Sequence, residues 1–176
     1  DIRIDVGNDS GLSQPHLMEI MVPAWVDGTL QPVEKLAAHE RGLRHMAVSV
    51  FVIAEGRLLL QQRALGKYHT PGLWANTCCT HPQWDEPPNV CATRRLDDRA
   101  DVGGGLIEHE VVEVFLAHAD PALSITENPD EVMATRWISL SDLHTNLAQS
   151  PEEYTPWLRI YMAEHEGLIL GGGAME

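Results

Sequence analysis

The stretch "MAVSVFVIAEGRLLLQQRA", residues 46–64, constrains this chain more than any other. Two runs rich in β-branched and leucine residues flank Glu55-Gly56, a short glycine-containing connection of the kind that joins antiparallel strands. A β-hairpin is expected there. Downstream, "PPNVCATRRL" reads as a helix whose prolines suit a first turn, and "EHEVVEVFLAHA" alternates as a strand does. "ATRWISL" is a further short strand, and "SDLHTNLAQ" a helix capped by Ser141. Thr155-Pro156 supplies an N-cap and a first-position proline for "WLRIYMAEH", in which Trp157, Ile160 and Tyr161 recur at helical spacing and are expected to face the core. Strands and helices are mixed without regular strand–helix–strand repeats, which predicts a mixed α/β layer fold. A chain of 176 residues, 44% of them hydrophobic, can bury one good core, so a single domain is expected. Residues 1–21 read as a flexible amino-terminal arm, 22–167 as the domain, and 168–176, with "LGGGAME", as a flexible tail.

The formal charge of −14 argues against nucleic acid and anionic membranes as partners, since both are bound through excess Lys and Arg. Nine of the twelve basic residues nevertheless fall between Lys35 and Arg99. A local anion site inside an acidic protein is one reading, and solvated surface charge is the blander one for any single residue. No apolar run approaches bilayer length, and "DIRIDVGNDSGLSQPHLMEI" lacks the basic-then-apolar pattern of a secretion signal, so a soluble cytoplasmic protein is expected. Three cysteines, two of them adjacent, are too few and too awkward for a disulfide framework, and the thiols are expected to stay reduced.

Chemistry concentrates around "NTCCTHP". Cys79 and His81 are two apart, so on extended backbone they point to one face, and Glu108 and Glu110 share the same relation. Two carboxylates on one face repel unless a cation or proton lies between them. His39 and His45 lie in the polar stretch "HERGLRH" and could complete a mixed nitrogen and oxygen site for Zn, Mn or Mg. Set against this, the chain scatters nine histidines, and most such groupings are unrelated surface residues. Cys79, in a loop rimmed by Gly and Pro, is better placed for acid or base work than Cys91, whose helical setting suits a small apolar filler. Trp74 and Trp157 offer indole faces that can stabilise a cation, although most tryptophans are core.

Taken together, "RLLLQQRALGKYHTPGLWANTCCTHP", "GLIEHEVVEVF", "NPDEVMATRWISL" and "YTPWLRIYMAEH" strongly resemble the type I isopentenyl diphosphate isomerases of the Nudix-fold superfamily, from about Val22 to His165. The resemblance implies a Nudix-like mixed β-sheet layered between helices. It implies interconversion of isopentenyl and dimethylallyl diphosphate, with a proton added on one face of an allylic unit and another removed from the other. Carried over residue by residue, the acid/base pair looks like Cys79 and Glu110, and the tryptophan facing the cationic intermediate like Trp157. The metal set resembles His39, His45, His81, Glu108 and Glu110, occupied by Mn, Zn or Mg. Diphosphate contacts would fall to Arg63, Lys67 and Arg95 with Lys35 in support, and a second ion, Mg, would arrive with the diphosphate. The resemblance leaves open whether the chain is a monomer or a homodimer.

The chain departs from the family after "RRL", where "RRLDDRADVGGGLIEHE" replaces the expected acidic helix ending in a Glu-Leu-Gly type stop. The end of that helix, the next loop and the strand expected to bear the family's active-site tyrosine have no counterpart between Asp98 and Arg99, nor does the glutamate of the second metal. Either the chain is truly shortened there or a segment is missing between these two residues, with missing chain the favoured reading because losing a helix end and a strand from inside a domain should wreck packing. Bonded residues have Cα atoms about 3.8 Å apart, so a much longer span would show missing chain, and a normal one a true shortening and an impaired enzyme. Two rivals therefore stand beside the isomerase: a Nudix-type diphosphate hydrolase, which needs the acidic helix, and a non-catalytic diphosphate-binding relative.

Overall fold

The computed structural model describes residues 20–67, 69–94, 110–120, 122 and 124–170, and of residues 92–94 and Glu110 the backbone alone. Arg95, Glu108 and the Asp98–Arg99 junction lie outside the described residues. The expected hairpin is present as β3 (His45–Ala54) and β4 (Arg57–Arg63), paired at Ile53↔Leu58 and Ala54↔Arg57. Both turn residues are left-handed, Glu55 at φ 49° and Gly56 at φ 71°, the backbone a two-residue hairpin connection demands. Glycine takes that conformation freely.

β3 is the organising strand. Its residues from His45 to Ile53 pair in parallel with β7 (Glu110–His118) along one edge. The opposite edge is shared by β1 (Met21–Val26), β6 (Cys78–Thr80) and the hairpin end of β4. Ala47, Val48, Ser49, Phe51 and Val52 are all buried, as a strand covered on both faces requires. β4 diverges from β3 beyond the hairpin and pairs instead with β5 (Trp74–Ala75) and β8 (Val132–Ser139). Thr77 bridges the fork: its hydroxyl donates to Leu59 O at 2.6 Å and accepts from Val52 N at 2.9 Å.

Before this core comes a second hairpin, β1 with β2 (Thr29–Glu34), which places Pro23 opposite Pro32. Sequence reading assigns no element here, because prolines and polar residues hide the alternation while Asp27-Gly28, both at positive φ, is the turn signal. Helix α1 (Lys35–Glu40) follows directly, capped by the Glu34 carboxylate on Leu36 N and Ala37 N. α2 spans Pro88–Arg94.

α3 (Leu140–Gln149) is capped by Ser139, not Ser141: the Ser139 hydroxyl accepts from Asp142 N at 3.1 Å. Capping needs the hydroxyl three residues before that N–H, and Ser141 already lies inside the first turn. α4 (Pro156–Ile160) begins after Thr155 as expected, but continues through a π turn, Tyr161–His165, into α5 (Glu166–Leu170). The helix thus runs past residue 167. Tyr161 packs edge-on against Phe51, ring centroids 5.3 Å apart, and seals this helical segment to the sheet. No helix among the described residues is long and apolar enough to cross a membrane.

Candidate active site

The alternation of β3 puts His45 and Ser49 on one face, and strand pairing adds neighbours to it. Cys79 is the cross-strand partner of Ser49, and Glu110 that of His45. Because β6 and β7 flank β3 on opposite edges, the Cα atoms of Cys79 and Glu110 are separated by about 10 Å across the sheet and about 13 Å along it, from ordinary strand spacings. His81, two residues beyond Cys79, follows it onto that face, and α1 brings His39 over the same end of β3.

His39, His45 and His81 form a compact cluster whose ligating atoms all lie within 4.8 Å of one another. His39 Nδ1 donates to Lys35 O at 2.6 Å and His45 Nδ1 to Leu43 O at 2.7 Å. A carbonyl only accepts, so both rings carry a proton on Nδ1, and Nε2 is the ring atom left to ligate. Burial first, then the charge of Lys35 and the surrounding imidazoles, hold His81 well below the usual histidine pKa. Three clustered imidazoles, two of them with Nδ1 turned to a backbone carbonyl, are a donor set that fits a divalent transition metal. Glu110 reaches this corner by backbone register alone, and Glu108 and Arg95 lie outside the described residues.

Cys79 is half-buried, and its thiol donates to Asn76 Oδ1 at 3.1 Å. Trp157 is held over the site by the α4 start, where Thr155 N bonds Trp74 O at 2.9 Å. Its indole is 4% exposed, and the indole N–H has no hydrogen-bond partner among the described residues. Arg63 lies beneath it, guanidinium 5.4 Å from the indole centroid. Lys67 instead meets Glu131, Nζ lying 2.6 and 2.7 Å from the two carboxylate oxygens. Further along the same face, Val112, Val114, Leu116, Tyr161 and Ile169 line an open cavity of about 490 Å³.

The structure adds His69, which sequence reading passed over. Its backbone oxygen and Nε2 both accept from Arg63 Nη2, at 3.2 and 3.3 Å, since guanidinium cannot accept. Its ring lies 6.0 Å from Trp157 and 6.3 Å from His39, so it joins the arginine, the indole and the imidazole cluster. "KYHTPG" reads as turn punctuation, and only its proximity to Arg63 and Lys67 in sequence hinted at more.

The NUDIX domain family matches residues 43–158. The isopentenyl-diphosphate Delta-isomerase of Roseobacter denitrificans is 59% identical, with 88% of this chain and 97% of that protein covered. That of Cereibacter sphaeroides strain KD131 is 56% identical over the same shares. This chain belongs to the isopentenyl-diphosphate Delta-isomerase family. Among solved structures, the Deinococcus radiodurans protein DR0079 superposes with a TM-score of 0.60 at 12% identity, covering 81% of this chain and 96% of that one. A MutT NUDIX hydrolase from Burkholderia pseudomallei gives 0.51 at 25% identity, covering 69% and 98%. With the family match, the likeness to the NUDIX hydrolase shows that this chain has the expected Nudix-like fold. Of the residues the resemblance nominated, Cys79, His39, His45, His81, Trp157 and Arg63 lie on this side of the sheet, while Lys67 is paired with Glu131.

Proposed function

We propose that this chain interconverts isopentenyl and dimethylallyl diphosphate through acid/base chemistry divided between Cys79 and Glu110, on opposite edges of β3. The observation that carries the reading is the shared sheet face, with the thiol on one flank, the Glu110 backbone on the other, and the Trp157 indole above. An unactivated alkene is a poor base, so a tertiary carbocation needs an aromatic face and a site that excludes water. Trp157 supplies that face. Separating acid from base across the substrate turns two difficult proton transfers into oriented local steps.

Arg63, Lys67 and Arg95, with Lys35 in support, bind the diphosphate, and the Lys67–Glu131 pair keeps that lysine oriented. His39, His45 and His81, with Glu108 and Glu110, would hold Zn, Mn or Mg, whose charge would lower the proton affinity of a neighbouring carboxylate. Mg would accompany the diphosphate. The substrates are small diphosphates rather than nucleic acid or membrane, and we place the reaction in the cytoplasm, in isoprenoid biosynthesis, by a monomer or homodimer.

The test is incubation of the metal-loaded protein with isopentenyl diphosphate in deuterated water. Deuterium in a dimethylallyl product is expected, and its absence defeats the assignment. Cys79→Ala separates the rivals, because hydrolysis or plain binding survives it and isomerisation does not.

A further inference from the structure

We infer that Asn76 is a positioning residue for the Cys79 thiol, anchored by a hydrogen-bond relay that passes through Ser49 to Tyr161; the inference deepens the isomerase reading and rests on it. Asn76 is fully buried, and its amide has one orientation that satisfies its surroundings. Nδ2 faces Cys78 O at 3.2 Å, Val50 O at 3.4 Å and Ser49 Oγ at 3.5 Å. The two carbonyls only accept, so the nitrogen belongs on their side and Oδ1 is turned to Cys79. Oδ1 in turn only accepts, so the sulfur donates its hydrogen across the 3.1 Å contact.

The far end of the relay is equally constrained. Ser49, fully buried and directly across the ladder from Cys79, shares a 2.5 Å hydrogen bond with the Tyr161 hydroxyl. Tyr161 opens the π turn, a helix irregularity that recurs at functional sites. The helix carrying Trp157 and the strand carrying Cys79 are thereby tied to one line of polar groups. A buried asparagine that merely braces its loop would use Nδ2 on Cys78 O and Val50 O. Placing the remaining oxygen on the proposed catalytic sulfur is what loop bracing does not require.

Asn76→Ala and Tyr161→Phe test this. Tyr161→Phe keeps the ring against Phe51 and deletes only the anchor hydroxyl. For Asn76→Ala, kcat is expected to fall about 100-fold, the effect of about a 1 Å misplacement, with KM within about 2-fold of the parent, as for a group acting in the transition state. Tyr161→Phe should move kcat in the same direction by less. Iodoacetamide labelling of Cys79 at one fixed pH, mapped by peptide mass, should speed up by at least about 3-fold in both as the thiol is released. A folded Asn76→Ala protein with parental kcat and labelling rate overturns the inference, as does a kcat loss matched by an equal loss of folded protein. If Asn76→Ala does not fold, Tyr161→Phe decides alone, and unchanged kcat and labelling overturn it. A parent protein that does not isomerise defeats the functional reading, and the labelling rates still decide whether Asn76 holds the thiol.

Discussion

Thr77 sits where the sheet splits, and removing its hydroxyl tests whether that fork holds the site together. Thr77→Val preserves shape while leaving Val52 N–H and Leu59 C=O, on residues 3% and 2% exposed, without the partner they now share. Each buried group so stranded costs about 1–3 kcal/mol, giving a loss of about 2–6 kcal/mol. For a chain of this size each kcal/mol moves Tm by about 2–4 °C, so a drop of about 4–24 °C is expected. Urea denaturation should show the midpoint falling with an unchanged slope, the sign of lost stability rather than an altered unfolded state. Thr77→Ser is the control: it keeps both hydrogen bonds and gives up one methyl group, about 1 kcal/mol. If Thr77→Val loses no more than Thr77→Ser, the hydroxyl is not what closes the fork and the reasoning fails.

Metal-free protein titrated with Zn or Mn should gain thermal stability, about 2.7 kcal/mol at a hundredfold excess over Kd, and His45→Ala should abolish the gain in a thermal-shift assay. Lys67→Met should raise KM for the diphosphate substrate about 10-fold while kcat stays within about 2-fold, the pattern of lost ground-state binding; unchanged steady-state KM would remove Lys67 from the binding set. For His81 the folded pKa lies below the unfolded one, so the unfolded chain takes up the proton first as pH falls. Stability of the metal-free protein should therefore be complete above about pH 6.5 and decline below it, and His81→Gln should flatten that slope in Tm measured against pH.

What the sequence made legible follows from the range of the signals. The β3–β4 hairpin, β7 and the start of α4 are local patterns of alternation, turn and cap, and they fall where those patterns place them. Cys79 and His81 were readable because a spacing of two on extended backbone has one geometric meaning. The first hairpin was hidden by Pro23 and Pro32, and α1 is too short to show a period. Lys67 was recognisable as a cation, but its pairing with Glu131 joins positions 64 apart. The Ser49–Tyr161 bond spans 112 positions, and only the fold brings those two hydroxyls together. His69 needed the Arg63 guanidinium beside it before its role could be seen.

The π turn also sets the phase of everything after it. A regular helix of about 3.6 residues per turn that buries Leu158 brings Ile169 inward three turns later. Leu168 is 82% exposed, and Ile169 is the buried residue. The spacing from Leu158 to Ile169 fixes which side chain meets the sheet, so segment length between Tyr161 and His165 is constrained as tightly as residue identity. Deleting one residue there, even an exposed one such as Ala163, would let the coil rewind, rotate Ile169 off the sheet and strip one wall from the apolar cavity beside β7.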